Sequence, residues 1–346
     1  MHKTAGERFL VTGALGCIGA WTIRALVREG VPVVGFDLGR DARRLAQIMT
    51  PDELAQVTLV SGDITDLAAI EQALEEHDIT NVIHLAALQV PFCRADPPLG
   101  AQVNVTGTVN VFEAVRRQGR LGSPVVYTGS IGMFSQNDAD PATGRLEEDA
   151  VPHPGNHYGV YKLANEGNAK VFWVDNGVAS VGLRPMTVYG AGRDQGLTSS
   201  PTAAIAAAVL GVPFQISYSG STLFQYAEDV ARTLILASRS QADDARVYNL
   251  GGSRVSLEDW ITAIDEAVPG SAAQLSLAPR ELPFPSDIAH DRIAELGPVP
   301  VTPYREAIAA TADIYRRLAA DGRLIAAEHG VPAAGAATVP STPSTP

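Results

Sequence analysis

The sequence predicts a doubly wound α/β fold, a parallel sheet with helices on both faces, joined to a smaller C-terminal lobe. Three observations carry this. Short, almost wholly apolar runs alternate with longer segments of helical period through the first half of the chain, as expected of parallel strands buried on both sides. The first run, "RFLVTG", leads directly into a glycine-rich turn and a helix. The alternation stops near Arg184, where glycine and proline become frequent and the apolar runs lose their regular spacing.

Each element follows from its own pattern. After "RFLVTG" a helix is expected from about Cys17 to Glu29; "PVVGF" is followed by a helix near Arg40–Met49. "VTLVSGD" precedes a helix near Leu67–His77, and "NVIHLA" precedes a long helix near Leu99–Gln118. "PVVYTGS" comes before the helix that holds Tyr158, and "ASVGLRP" follows it. Residues 1–184 form the nucleotide-binding domain in this reading, with its ligand at the carboxyl ends of the strands. Residues 185–330 form most of a partly interleaved substrate lobe, where "PFQIS" and "RVYNL" stand as isolated strands. "TPYREAIAATADIYRRLAADG" is a last amphipathic helix. The tail 331–346, "VPAAGAATVPSTPSTP", has no charge or aromatic group and is expected to be disordered.

Composition narrows the class of function. The 346 residues are 46% hydrophobic and 18% charged, with net charge −12 and no dense basic cluster. Nucleic acid and anionic membranes are therefore not the expected partners. Two cysteines, Cys17 and Cys93, make neither a disulfide framework nor a zinc site. His84, His153 and His157 lack a surrounding cluster of ligands and read as structural or solvated; no metal is expected. The apolar runs are too short to span a bilayer, and "MHKTAGERFLVTG" lacks a signal-peptide pattern. The expectation is a reduced, cytoplasmic protein.

"LVTGALGCIGAW" spaces Gly13, Gly16 and Gly19 as G-x-x-G-x-x-G, with Cys17 and Ile18 in the first turn of the helix. Glycines there let the backbone approach a pyrophosphate, and the helix start supplies amide donors and a positive dipole end. The second strand ends at Asp37, 18 residues after Gly19, where a carboxylate accepts from adenosine ribose hydroxyls. It also repels a 2′-phosphate, which favours NAD over NADP. Arg40, Arg43 and Arg44 just beyond are placed to offset that repulsion or, as is usual for a run of charges, form a solvated helix face. In "SGDITD", Asp63 and Ile64 fall at the adenine, while Asp66 reads as a helix cap. In "HYGVYKLANE", Tyr158 and Lys162 are spaced i,i+4 and share a helix face; Tyr161 points elsewhere and packs.

These motifs together resemble the extended short-chain dehydrogenases/reductases, the NAD-dependent epimerase/dehydratase group, from about Phe9 to Gly322. The likeness rests on "TGALGCIG", Asp37, "GDITD", "NVIHLAA", "NVTGTVNV", "VVYTGSIGMFS", "YGVYK" and "LRPMTVYG". The fold it implies is a Rossmann domain with a substrate lobe. It implies catalytic roles for Ser130, Tyr158, Lys162 and Asn104. Leu85, Ala86 and Ala87 would line the nicotinamide ribose, with Asn104, Tyr158 and Lys162 beside it. Position 129 is Gly where relatives often carry a second hydroxyl residue. Gln89, Arg193, Gln195 and Thr198, with Ser130 and Tyr158, fall on the substrate side, and Ser199 is a further polar candidate there. Relatives acting on nucleotide-diphosphate sugars often carry an arginine in a stretch like "RDFVYVDDVA"; here "TLFQYAEDVA" puts Thr222 at that place. Arg193 and Arg280 are the candidate substitutes for that phosphate ligand. In many relatives helices matching 99–118 and 159–176 pair across a two-fold axis, which implies a homodimer.

The chemistry suits these residues. An ordinary tyrosine has a pKa of ~10, too high for an efficient base near neutrality. A lysine ammonium ~5 Å away contributes ~3 kcal/mol at an effective dielectric of ~20, about two pKa units. Ser130 positions the substrate oxygen and Tyr158 moves its proton. Three readings follow. The first is an NAD-dependent dehydrogenase of a small carbohydrate, sugar acid or other secondary alcohol. The second is an epimerase that retains NAD, and the third a non-catalytic dinucleotide-binding module. The intact Ser130–Tyr158–Lys162 set argues against the module. "TGSIG" lacks the Asp–Glu pair of sugar-nucleotide dehydratases, and Thr222 favours the first reading over the second. Tyr158→Phe is expected to abolish turnover while NAD binding survives; wild-type-like turnover in that variant would remove this mechanism.

Overall fold

The structure, a computed structural model, describes residues 6–332. Seven strands form the central sheet: β1 (Phe9–Thr12), β2 (Val33–Asp37), β3 (Thr58–Ser61), β4 (Asn81–His84), β5 (Val125–Thr128), then, past a short strand β6 (Arg145–Leu146), β7 (Ser180–Arg184) and finally Ala245–Asn249. Their order is Ala245–Asn249, β7, β5, β4, β1, β2, β3, and every pairing is parallel. β1, β4, β5 and β7 are buried throughout, because helices cover both faces. β3 is the edge and is mostly exposed.

The helices stand where the periodicity puts them. α1 (Cys17–Arg28), α2 (Arg43–Ile48), the single turn α3 (Pro51–Leu54) and α4 (Leu67–Glu76) follow the first three strands. α2 starts later than expected, since Arg40–Ala42 are spent in the turn beyond Asp37. The long helix expected near 99–118 is divided. After α5 (Val90–Ala95), α6 (Pro97–Ala101) runs into one π-helical turn, Gln102–Thr106, before α7 (Gly107–Gln118). A π turn carries an extra residue and turns the side chains beyond it to a new direction, and Asn104 sits in it. α8 (His157–Asn176) is the twenty-residue helix with Tyr158 near its start.

The C-terminal half is more entangled with the sheet than its sequence shows. β8 (Thr187–Tyr189), α9 (Ser200–Leu210), β9 (Phe214–Ile216) and β10 (Ser221–Tyr226) lie in the lobe. α10 (Ala227–Ser238) then returns to pack on α1 and leads into β11 (Ala245–Asn249). "RVYNL", expected as an isolated strand, is thus β11, the last strand of the main sheet, paired in register from Ala245 opposite Ser180. β12 (Ser253–Ser256) completes a small sheet with β10 and β8, followed by α11 (Leu257–Ala267) and α12 (Tyr304–Ala320). "PFQIS" contributes β9, which pairs in parallel with Leu275–Leu277.

Residues 333–346, most of the expected disordered tail, lie outside the described residues. Val331, at its start, is buried and its N–H donates to Ala326 O at 3.0 Å, so the packed chain reaches past position 330. Among the described residues no helix is long and apolar enough to cross a membrane.

An aromatic cluster forms the core of the lobe. Trp260 on α11 is fully buried, stacks on Phe224 with ring centres 3.9 Å apart and meets Tyr189 edge-on at 4.7 Å. Its indole N–H donates to Pro201 O at 3.2 Å, at the start of α9. Trp260→Ala should cost ~3–5 kcal/mol of stability, the usual range for emptying such a site. Urea denaturation reads this directly; a loss below about 1 kcal/mol would mean the lobe does not depend on this ring.

Candidate active site

The chain order in the sheet reverses between β1 and β4, and a cavity of about 610 Å³ opens there at the carboxyl ends of the strands. One wall is the glycine turn. Gly13 has φ +68°, and a Cβ on it would stand 2.7 Å from Ala86 N and 2.8 Å from Leu85 C. Its lack of a side chain lets the turn after β1 rest against the turn after β4. Gly16 caps α1, and the first intrahelical bond runs from Ala20 N to Gly16 O at 2.9 Å. The amides of Cys17, Ile18 and Gly19 therefore come before the helix's own ladder and are free for an anion. The chain has no room for a Cβ at Gly19 either, because Gly13 O lies against that point.

Asp37 closes the far end of this wall. Its carboxylate accepts from Leu15 N at 2.9 Å and Gly39 N at 3.0 Å, so its orientation is set before any ribose arrives. Asp63 lines the same cavity with Ile64 and accepts from Thr65 N and Oγ1, both at 2.8 Å. Asp66 caps α4, as expected. This cradle fits a dinucleotide carrying a free ribose diol: three small residues at the turn, open amides and a fixed carboxylate.

The reacting side faces the cradle across the cavity. Ser130 caps a 3-10 turn, Ile131–Met133, accepting from Gly132 N at 2.9 Å, and lines the cavity together with Tyr158. Gly159 permits the approach of that turn to α8, since a Cβ there would meet Gly132 O at 2.8 Å. Lys162 is 4% exposed, donates from Nζ to Thr128 O at 2.7 Å and lies 5.7 Å from the centre of the Tyr158 ring. Burial lowers Lys162 from 10.5 to about 8, partly offset by Cys93 and Glu166. Burial also raises the Tyr158 phenol above its usual value, while Ser130 and the positive charge of Arg193 pull it back. This differs from the expectation that Lys162 sets the Tyr158 proton. Here Nζ is turned toward Thr128, and the cost of burying a phenolate comes first.

Asn104 plays a different part from the trio. It is 1% exposed, and its side chain is spent on Leu88, accepting from the N–H at 2.7 Å and donating to the C=O at 2.9 Å. It braces the segment carrying Ala86, Ala87, Leu88 and Gln89 rather than lining the cavity. Its carbonyl receives Thr108 Oγ1 at 2.7 Å and Asn165 Nδ2 at 2.9 Å. Thr108 in turn meets His84 Nε2 at 3.0 Å, and His84 Nδ1 meets Thr12 Oγ1 at 2.7 Å. Since Thr12 and Thr108 have these partners, the network assigns the proton of His84 to Nε2. Burial first, then Lys162, lowers His84 to about 3, so it stays neutral. His153 meets Asp138 at 2.7 Å and His157 is exposed against Tyr161; among the described residues no group is arranged to hold a metal. Tyr161 packs and donates to Pro97 O at 2.8 Å.

Gln89, Arg193, Gln195 and Thr198 all line the cavity; Ser199 turns inward and donates to Gly196 O. Thr222 is fully buried in β10, paired with Thr187 at 2.9 Å, and Arg280 donates to Ser217 O at the surface. Gly129 lies under a bidentate pair that sequence reasoning missed, Arg184 with Glu166 at 2.7 Å twice, and a Cβ there would stand 3.0 Å from Glu166 Oε1. Missed as well were Asp194, Met186 and Phe284. Arg44 is not solvated: it pairs with Asp194 at 2.7 Å and donates to Leu15 O at 2.9 Å, strapping the 190–198 loop to the glycine turn. No local signal marks a pair 150 residues apart.

The chain has relatives among known proteins. The NAD dependent epimerase/dehydratase family model matches residues 9–251. A UDP-glucose 4-epimerase of Mycolicibacterium smegmatis is 30% identical over 322 residues, covering 89% of this chain and 98% of its own. UDP-glucuronate 4-epimerase 3 of Arabidopsis thaliana is 31% identical over 196 residues, 55% of this chain; the match spans 44% of the plant protein, under half its length. The crystal structure of Thermus thermophilus UDP-glucose 4-epimerase in complex with NAD superposes with a TM-score of 0.73 at 26% identity, covering 89% of this chain and 99% of that one.

Gly13→Ala tests the cradle. The new Cβ is both strained at positive φ and driven into Ala86, so NAD affinity should fall at least about tenfold, ~1.4 kcal/mol. Titration calorimetry checks it; unchanged affinity would remove Gly13 from the cofactor site.

Proposed function

Because the chain belongs to the NAD-dependent epimerase/dehydratase family, we propose that it moves hydride between NAD and a secondary alcohol or ketone of a small carbohydrate-like substrate. The supporting observation is the position of Ser130, Tyr158 and Lys162 opposite the glycine cradle in one cavity. NAD, when bound, supplies the hydride acceptor.

The residues divide the remaining work. Ser130 hydrogen-bonds the substrate oxygen and aligns it on Tyr158. Tyr158 takes the hydroxyl proton on its phenolate oxygen as the alcohol becomes a carbonyl. Lys162, held by Thr128 O, keeps a positive charge near the ring and would hold the ribose hydroxyls of NAD. Asn104 positions the Ala86–Gln89 segment through Leu88. The lobe from residue 185 onward contributes Arg193, Gln195 and Thr198. Val171 and Val174 on α8 are exposed, at 56% and 71%, which supports a homodimer formed on that helix.

Net dehydrogenation is the first reading, because Thr222 is closed off in β10 where a diphosphate-binding arginine would stand. The match along 98% of a UDP-glucose 4-epimerase supports a second, an epimerase that keeps its NAD between half-reactions. Denaturing the purified, dialysed protein and analysing the released nucleotide separates the two. Near-stoichiometric NAD supports the epimerase; an empty protein that forms NADH from sugars or sugar acids supports the dehydrogenase.

The pH profile follows from Lys162. With its folded value depressed to about 8, the ammonium is present below that pH and lost above it. For alcohol oxidation the Tyr158 phenolate grows with pH while the ammonium fades above about 8, so kcat/KM should rise with pH and then level off near 8. Lys162→Met should lower the rate ~10²-fold or more below pH 8 and remove that break, so that the rise continues past it. A break near pH 8 that persists in Lys162→Met would assign the titration to another group.

A further inference from the structure

Three cations line the cavity, and two are committed. Arg44 is paired with Asp194, and Lys162 donates to a backbone carbonyl. Arg193 is the exception. Among the described residues it forms no ion pair, and its one side-chain hydrogen bond is a long one, Nη2 to Thr198 Oγ1 at 3.4 Å. Its Nε is buried with no partner, as is Gln89 Oε1. The two side chains converge at Gly196, whose φ is +102°; a Cβ there would run into Gln89 Oε1 and stand 3.1 Å from Arg193 Nη2. The loop carrying Arg193 is fixed from outside. The Arg44–Asp194 pair holds its next residue, and Ala191 O accepts from Trp21 Nε1 at 2.9 Å. Arg193 is therefore presented to the cavity rather than waving in solvent.

A cation held in a partly dehydrated cleft without a counter-ion costs free energy until an anion arrives. Around it the cavity is lined by Leu88, Pro185, Met186 and Phe284, which offer no further charge. A diphosphate brings a second negative charge that nothing on this side would neutralise. A single carboxylate matches one guanidinium in charge and in its two-oxygen geometry. Arg193 lines the same cavity as Ser130 and Tyr158, so an anion it holds shares that cavity with the reacting hydroxyl.

We propose that the substrate carries a carboxylate close to the reacting alcohol, bound by Arg193 beside Gln89 and Thr198, making it a sugar acid or related hydroxy acid. The proposal rests on the reading of Tyr158 as the acid/base of an NAD-dependent oxidation. It names the substrate class of that same site.

The test pairs hexuronates and aldonates with neutral sugars and alditols of matched configuration, with a UDP-sugar alongside. Two signals are recorded, NADH formation and the Tm shift of the NAD-loaded protein. Acids should exceed their neutral partners ~10²-fold in kcat/KM. Arg193→Met should bring that ratio to within about threefold of one, and Arg193→Lys should keep part of it; the lysine variant guards against a methionine variant that folds poorly. An acid preference unchanged in both variants overturns the subsite. So does a wild-type enzyme that prefers neutral sugars or the UDP-sugar. The two signals separate the readings. An Arg193-dependent Tm shift with acids but no NADH supports the subsite and defeats net dehydrogenation. NADH from neutral sugars at rates matching the acids defeats the subsite and leaves dehydrogenation standing.

Discussion

The imidazole of His84 spans two hydroxyls, accepting from Thr12 at 2.7 Å and donating to Thr108 at 3.0 Å, and the cavity is organised around that bridge. Thr12 ends β1 and also receives the amides of Leu85 and Ala86 at 3.2 and 3.3 Å. Thr108 passes the chain on to the carbonyl of Asn104, which Asn165 of α8 reaches from the other side. One buried line of hydrogen bonds therefore links the glycine turn, β4, the π turn and the catalytic helix. It works only with a neutral imidazole, because a doubly protonated ring would leave a donor facing the Thr12 hydroxyl's proton. Burial beside Lys162 keeps His84 neutral. A polar network this deep favours a single arrangement because each side chain in it is held by another, with Asn165 Oδ1 alone left without a partner.

A second constraint acts on the substrate side. The 190–198 loop leaves β8 and meets nothing in the main sheet by sequence neighbourhood. Arg44 holds it, with Asp194, Gly192 O and Leu15 O all within 3.2 Å of its guanidinium, and Arg43 adds a further contact to Asp194 at 3.2 Å. Asp194 is neutralised twice over, leaving Arg193 as the charge that faces the cavity. The division of labour between adjacent residues 193 and 194 is thus set by which side of the loop each occupies.

Much of this was legible in the chain. The sheet strands through β7 were visible because a strand covered on both faces must be apolar at nearly every position. The glycine turn, Asp37, Asp63, Tyr158 and Lys162 were visible because their chemistry needs fixed spacings along single elements, and Ser130 through the family resemblance; all line one cavity. Asn104 was read as a catalytic group, yet its side chain reaches Leu88 instead, because the π turn redirects it. β11 was read as isolated because strand pairing between residues 245 and 180 leaves no local trace. The expected Lys162 effect on Tyr158 assumed separation alone, whereas burial and the direction of Nζ decide it.

What the sequence determined by itself is therefore the local part: the strand and helix alternation, the anion-binding turn with its ribose acid, and the residues able to exchange a proton on one helix face. These follow from periodicity and from short-range geometry that any fold containing the element must respect. The tertiary structure alone decided which charges remain free, since Arg44, Arg184 and Arg193 are alike in sequence and differ only in the carboxylate that packing brings to each. It also decided the protonation of His84 and Lys162, because desolvation depends on what covers a side chain and not on its neighbours along the chain.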